Sequence, residues 1–212
     1  MKKSFFSIKR VLYNLNIRLY LSLIFGLSLN LFYIVSNFAS AIWYHSLWSA
    51  TLSIYHLLLV VIRIYILSSQ RGSDKEGRAG RLCLRVGIFM LFLDLSSAFL
   101  MIYSMKRGIF VRYSGLILLG FLLYTIYSVT KSSLDIRRHA SDNRPIYYVS
   151  RNISLSTSLM SVYNLQYSLL SLFGADYRLI SSAIFLCGAL VFAIILTLSI
   201  RLILLGRADR SW

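Results

Sequence analysis

Six apolar stretches, each about as long as a bilayer is thick, constrain the fold of this sequence more than any other feature. A helix needs about 20 apolar residues to cross the hydrocarbon core of a membrane. The segments between the stretches are short, and the chain contains a single proline, Pro145. The pattern predicts an all-α protein, an integral membrane bundle of six transmembrane helices. The predicted spans are residues 19–41, 47–69, 83–105, 113–131, 153–174 and 179–203.

The composition supports a membrane protein and argues against a nucleic-acid partner. Of 212 residues, 58% are hydrophobic and 14% are charged, whereas about 25% of a soluble domain is charged. The formal net charge is +16, but the basic residues lie at the ends of the apolar stretches. This placement is typical of membrane proteins and of attraction to anionic headgroups. We therefore expect the lipid bilayer, and no nucleic acid, as a partner.

The charges of the connecting segments predict the orientation. The connection around His45 contains no lysine or arginine, whereas QRGSDKEGRAGR and KSSLDIRRHASDNRP are strongly basic. Because short basic loops stay in the cytoplasm, both termini are predicted to be cytoplasmic. The basic segment KRGIFVR lies on the opposite side and is the exception. The predicted organisation is a basic cytoplasmic or interfacial segment (1–18), a six-helix transmembrane domain (19–203) and a short cytoplasmic tail (204–212).

Four polar residues of the predicted spans fall at similar depths. Counting along each helix places Asn30, His56, Asp94 and Asn164 near the middle of the membrane, within roughly one helical turn of each other. Polar side chains at this depth are costly and mark a functional site or contacts between helices. We predict a midplane polar site from these four residues. Asn37, two turns from Asn30 on the same face of the first helix, lies nearer the outer surface.

Asp94 is the one acidic residue within a predicted span, and two roles are open for it. In the functional reading it binds a small cation or relays protons together with His56. In the structural reading it pairs with Arg63, or caps a packing contact, and holds helices together. The two asparagines and His56 likewise either line a path or hydrogen-bond between helices.

Other residue patterns predict no catalytic chemistry. The sequence contains no H-E-x-x-H, P-loop or G-x-S-x-G motif, so we expect neither an enzyme nor a bound cofactor. Cys83 and Cys187 form no ligand pair, and no metal site is predicted. Most of the aromatic residues near the predicted membrane surfaces are expected to form an interfacial belt. They are Tyr33, Trp43, Tyr44, Trp48, Tyr103, Tyr113, Tyr147 and Tyr148.

The first two helices resemble those of cation diffusion facilitator transporters. The family pattern places an Asn, a Lys, a Gly and a Ser where this chain has Asn30, Asn37, Ala41 and Ser46. The resemblance continues through SLWSATLSIYHLLLVV and, more loosely, through GRAGRLCLRVGIFMLFLDL. It implies a six-helix bundle with both ends inside, a homodimer, and transport of a cation or proton-coupled transport.

The zinc ligands of that family are absent here. Its site uses Asp or His at two positions four apart on helix 2 and again on helix 5. The matching positions hold Tyr55 and Leu59, and Ile153 and Thr157, none of which is an ordinary zinc ligand. The resemblance therefore implies a transporter-like bundle without the metal site. A membrane scaffold or accessory subunit that transports nothing is the alternative.

The whole chain is also similar to uncharacterised six-helix membrane proteins of Gram-positive anaerobic bacteria. That similarity includes MSVYNLQYSLLSLFGADYR, which joins the fifth and sixth predicted helices. It implies a multi-pass protein of the bacterial cytoplasmic membrane, and it implies no activity.

Overall fold

The computed structural model describes residues 15–70, 78–106, 113–138, 145–173 and 177–208. Within these ranges the chain forms six long α-helices. They are α1 (Leu15–Tyr44), α2 (Leu47–Gln70), α3 (Arg78–Lys106), α4 (Gly115–Arg138), α5 (Pro145–Phe173) and α6 (Tyr177–Ala208). The prediction of an all-α protein is confirmed.

Several helix ends differ from the predicted spans, among them the end of α4, which is Arg138 rather than residue 131. Helix α5 begins at Pro145 rather than at residue 153, because proline fits the first turn of a helix, where its missing N–H is not needed. Helix α6 continues to Ala208, into the segment that was predicted to be a tail. Helix α1 begins at Leu15, and residues 1–14 of the predicted basic segment lie outside the described residues.

A tight turn joins α1 to α2. His45 has a φ of 49°, the left-handed conformation that often ends a helix. The amide of Ser46 donates to the carbonyl of Ala41 at 3.1 Å, which satisfies the last turn of α1. The hydroxyl of Ser46 then accepts from the amide of Ser49 at 3.2 Å and caps the start of α2. Ser46 therefore stabilises both the end of α1 and the start of α2.

Helices α3 and α6 make the most extensive contact of the bundle. Small residues allow the two backbones to approach closely, as is common between membrane helices. A β-carbon on Gly206 would lie 2.6 Å from the carbonyl oxygen of Gly80 and 2.6 Å from the amide of Leu84, and one on Gly87 would meet Ile203. The next most extensive contacts pair α1 with α2 and α4 with α5.

Helix α5 lies inside the bundle, against α2, α3, α4 and α6. Among its residues 147–172, Val162 is the one with a well-exposed side chain. Several of its hydroxyl groups donate to carbonyls of their own helix, as Thr157 does to Ile153 at 2.8 Å, so they can be buried without an outside partner. Its buried polar residues are Asn152, Ser154, Ser156, Thr157, Ser158, Ser161, Asn164, Ser168 and Ser171.

Hydroxyl groups also join α5 to α4. Ser158 Oγ donates to the carbonyl of Ser128 at 2.7 Å, and the two serine hydroxyls lie 3.0 Å apart. One turn further along, Thr125 Oγ1 donates to the carbonyl of Ser161 at 3.2 Å. These contacts hold the two backbones together where few apolar side chains are available.

The outer faces of the helices are apolar. Large side chains such as Phe32, Trp43, Phe99 and Leu116 are exposed, which in water would be an unusually large apolar surface. In the described part of the chain, four helices are long and apolar enough to cross a membrane, which fits a membrane protein. These segments are Leu47–Ile66, Gly80–Lys106, Gly115–Arg137 and Leu179–Ala208.

Candidate functional site

Asn164 of α5 connects three helices through its side-chain amide. Its Oδ1 accepts a hydrogen bond from Trp48 Nε1 of α2 at 3.1 Å. Its Nδ2 donates to the hydroxyl of Tyr33 on α1 at 2.6 Å. All three side chains are buried, and such bonds between buried polar groups stabilise contacts between membrane helices.

Tyr33 brings three of the four predicted site residues together. Its ring centroid lies 4.4 Å from that of His56 and 4.1 Å from that of Tyr124, on which it stacks. The hydroxyl of Tyr124 donates to Asn30 Oδ1 at 2.9 Å. Asn30, His56 and Asn164 therefore surround one aromatic side chain without bonding to one another directly.

His56 carries a free basic nitrogen inside the bundle. Its Nδ1 lies 2.9 Å from the carbonyl oxygen of Leu52. Because a carbonyl oxygen only accepts hydrogen bonds, Nδ1 carries the proton and Nε2 is the unprotonated nitrogen of the neutral ring. His56 is fully buried, and Nε2 has no hydrogen-bond partner within the described structure. This nitrogen is therefore both buried and unpaired.

Asp94 of α3 lies apart from the other three predicted residues. It is buried, and its Oδ1 lacks a hydrogen-bond partner among the described residues. Its carboxylate interacts electrostatically with Tyr55 of α2, and the ring of Tyr55 lies 5.5 Å from that of His56. Tyr55 is therefore the residue next to both ionisable groups.

Arg63 is not the partner of Asp94. Its electrostatic interactions in the described structure involve His56, Tyr124, Tyr127, Lys131 and Asp135, and Asp94 is not among them. The guanidinium is buried, and its Nε has no hydrogen-bond partner within the described ranges. Of the two structural roles considered for Asp94, the ion pair with Arg63 does not form among the described residues.

A small cavity lies beside Arg63 and Asn30. Its volume is about 20 Å³, which is enough for one water-sized molecule or ion. Eight of its nine described lining residues carry a basic, amide or hydroxyl group, although carbon atoms form most of the lining surface, and none of the nine is a carboxylate. The lining residues are Leu29, Asn30, Arg63, Tyr124, Tyr127, Ser128, Lys131, Ser154 and Thr157.

The aromatic residues that contact Asn164 were not predicted as site residues from the sequence. Tyr33 and Trp48 were expected in the interfacial belt, but both are buried. The sequence does indicate that Tyr33 faces the same way as Asn30 and Asn37, because the three residues lie on one face of the helix. Asn37 Nδ2 donates to the carbonyl of Tyr33 at 2.9 Å, so this amide is bound within its own helix. Trp43 is 81% exposed, as the belt predicts.

The four positions that match the zinc ligands of cation diffusion facilitators are all buried. They are Tyr55, Leu59, Ile153 and Thr157. In the described part of the chain, no three His, Cys, Asp or Glu side chains lie close enough to hold a metal ion together.

The comparisons with known proteins assign no family to this arrangement. The similarity to cation diffusion facilitators consequently remains a prediction that depends on the residues quoted above. No protein-family model matches the chain, and no curated protein is significantly similar to it.

Proposed function

We propose that the chain crosses the bacterial cytoplasmic membrane six times, with both termini in the cytoplasm. Helices α1 and α5 have 30 and 29 residues, and about 20 residues are enough to cross the hydrocarbon core. Helix α5 is rich in serine, but its neighbours shield it from lipid. A shielded helix can span a membrane without an apolar exterior. The basic connections after α2 and α4 support the orientation.

Within this topology, the function that the geometry supports best is proton-linked transport of a small ion. Asp94 and His56 are the proposed proton carriers, on either side of Tyr55. The observation that carries the proposal is that both ionisable groups are buried and each has an unpaired atom, Asp94 Oδ1 and His56 Nε2. A purely structural core satisfies such groups or replaces them with apolar ones.

Arg63 favours protons over a bound metal cation near His56. It lies seven residues from His56, on the same face of α2, and the two interact electrostatically. A metal cation beside His56 would be repelled by this fixed charge. The same charge also opposes a proton on His56, but a proton adds one positive charge whereas a divalent metal ion adds two.

The experiment is proton flux in proteoliposomes that contain a pH-sensitive dye, driven by gradients of monovalent or divalent cations. We expect flux for the wild type, and we expect Asp94→Asn and His56→Gln each to reduce it at least tenfold. Asp142→Asn, which changes a carboxylate of the predicted cytoplasmic connection, is the matched control and should retain flux. Wild-type flux no greater than that of protein-free liposomes, or unchanged flux in both variants, would refute the proposal.

A membrane scaffold that transports nothing is the second candidate. The amide of Asn164 favours it, because both its oxygen and its nitrogen are bonded to protein partners, Trp48 and Tyr33, rather than left open for an ion. This candidate predicts no flux for any ion, and folding that depends on Asn164 but not on Asp94.

A further inference from the structure

We propose that the small cavity beside Arg63 and Asn30 is a binding site for one monovalent anion the size of chloride. The cavity lies between α1, α2, α4 and α5, since each of these helices contributes lining residues. The proposal concerns binding alone, so it does not depend on whether the chain transports anything.

Among the described residues, the charges around the cavity sum to one unbalanced positive charge. Arg63 and Lys131 line it. Asp135 interacts electrostatically with both, and it compensates one of the two. Asp135 does not itself line the cavity. Because an uncompensated charge inside a membrane protein is costly, one bound anion would complete the balance, whereas a water molecule would not.

The hydrogen-bonding groups at the cavity are suited to an acceptor. Arg63 Nε and Asn30 Nδ2 are buried donors without a partner in the described structure. Asn30 Oδ1 already accepts a hydrogen bond from the hydroxyl of Tyr124. The hydroxyl of Thr157 already donates to the carbonyl of Ile153. Unpaired donors with no competing carboxylate are what a bound anion requires.

The size of the cavity restricts the class of ligand. A volume of about 20 Å³ holds one water-sized particle, so a chloride or bromide ion fits with slight adjustment of side chains. Phosphate, sulfate and organic carboxylates have several heavy atoms and are too large. The proposed ligand is therefore a halide.

The test is thermal unfolding of the purified full-length chain in detergent, with chloride exchanged for gluconate at constant total salt. Chloride at about ten times its dissociation constant is expected to raise Tm by about 4 °C, and bromide should act similarly. Arg63→Gln and Lys131→Gln should each abolish the increase. Arg81→Gln removes an exposed arginine that does not line the cavity, and it should leave the increase intact.

Asn30→Asp keeps the proposal testable if Arg63→Gln does not fold. The new carboxylate has almost the shape of the amide and would place a tethered anion beside Arg63. We expect this variant to fold in gluconate and to show no response to chloride. The proposal is overturned if the wild type has the same Tm in chloride and gluconate. It is also overturned if Asn30→Asp or Lys131→Gln keeps the wild-type response.

Discussion

Asn164 Nδ2 and the hydroxyl of Tyr33 lie 2.6 Å apart, although 131 positions separate the two residues in the chain. The bond joins the inner helix α5 to α1. Trp48 of α2 donates a hydrogen bond to the same amide. Tyr124 of α4 stacks on the ring of Tyr33. Four of the six described helices thus meet around one pair of side chains, which makes this pair a structural centre of the bundle.

Removing the Tyr33 hydroxyl should destabilise this centre. Tyr33→Phe keeps the stacked ring but leaves Asn164 Nδ2 without its acceptor, so we expect a loss of about 1–2 kcal/mol in the free energy of unfolding. Reversible unfolding in SDS measures it. Tyr148→Phe is the matched control, since the Tyr148 ring contacts Arg151 and should tolerate loss of the hydroxyl. Equal effects of the two variants would contradict the prediction.

Close packing of α3 on α6 should make Gly206 intolerant of a larger side chain. In Gly206→Ala the new methyl group would meet backbone atoms of Gly80 and Leu84 at 2.6 Å. Backbone cannot move aside as a flexible side chain can, so we expect a loss of about 2–3 kcal/mol. Gly120→Ala is the control, because no atom lies within 4 Å of its added carbon. That variant should be neutral or slightly stabilising, and the same unfolding assay compares the two.

The turn between α1 and α2 should prefer glycine at position 45. His45 has a φ of 49°, which suits glycine and strains β-branched residues. His45→Gly is expected to leave the thermal midpoint unchanged or to raise it slightly. His45→Val should lower stability by about 1–3 kcal/mol. A valine variant as stable as the glycine variant would show that the backbone of this turn is different.

Asp94 and Arg63 should contribute to stability independently. Because no ion pair joins them, a double-mutant cycle of Asp94→Asn and Arg63→Gln should give a coupling energy below about 0.5 kcal/mol. Asp94→Asn alone should not destabilise the fold, since it replaces a buried charge with a neutral group of similar shape. A coupling energy above about 1 kcal/mol would instead indicate that these two residues form an ion pair.

Labelling of single cysteines should reveal the orientation. In a background without Cys83 and Cys187, we expect His45→Cys to react with a membrane-impermeant maleimide applied to intact cells. Ser68→Cys, exposed near the opposite end of α2, should react only after the cells are permeabilised. The reverse pattern would invert the proposed topology, and labelling of both sites in intact cells would contradict the span formed by α2.

The sequence by itself determined that the chain is helical and apolar. Hydrophobic length is a local property, so six long helices could be read directly from the stretches that contain them. Helix ends were less accurate, as Pro145 illustrates, because the first turns of α5 are stabilised by burial of residues such as Tyr147 and Val149 rather than by a long apolar run. The sequence also predicted similar depths for Asn30, His56 and Asn164, since residues count regularly along a helix, and the structure brings these three residues together around Tyr33.

Only the tertiary structure decided which of these residues meet. Depth along a helix says nothing about rotation around its axis, and rotation is set by side-chain packing between helices that are distant in the chain. Packing placed Tyr33 and Trp48 against Asn164. It placed Asp94 where it interacts with Tyr55 rather than with Arg63. It also brought Arg63 and Lys131 to one cavity. These are contacts between different helices, and no pattern within a single helix encodes them.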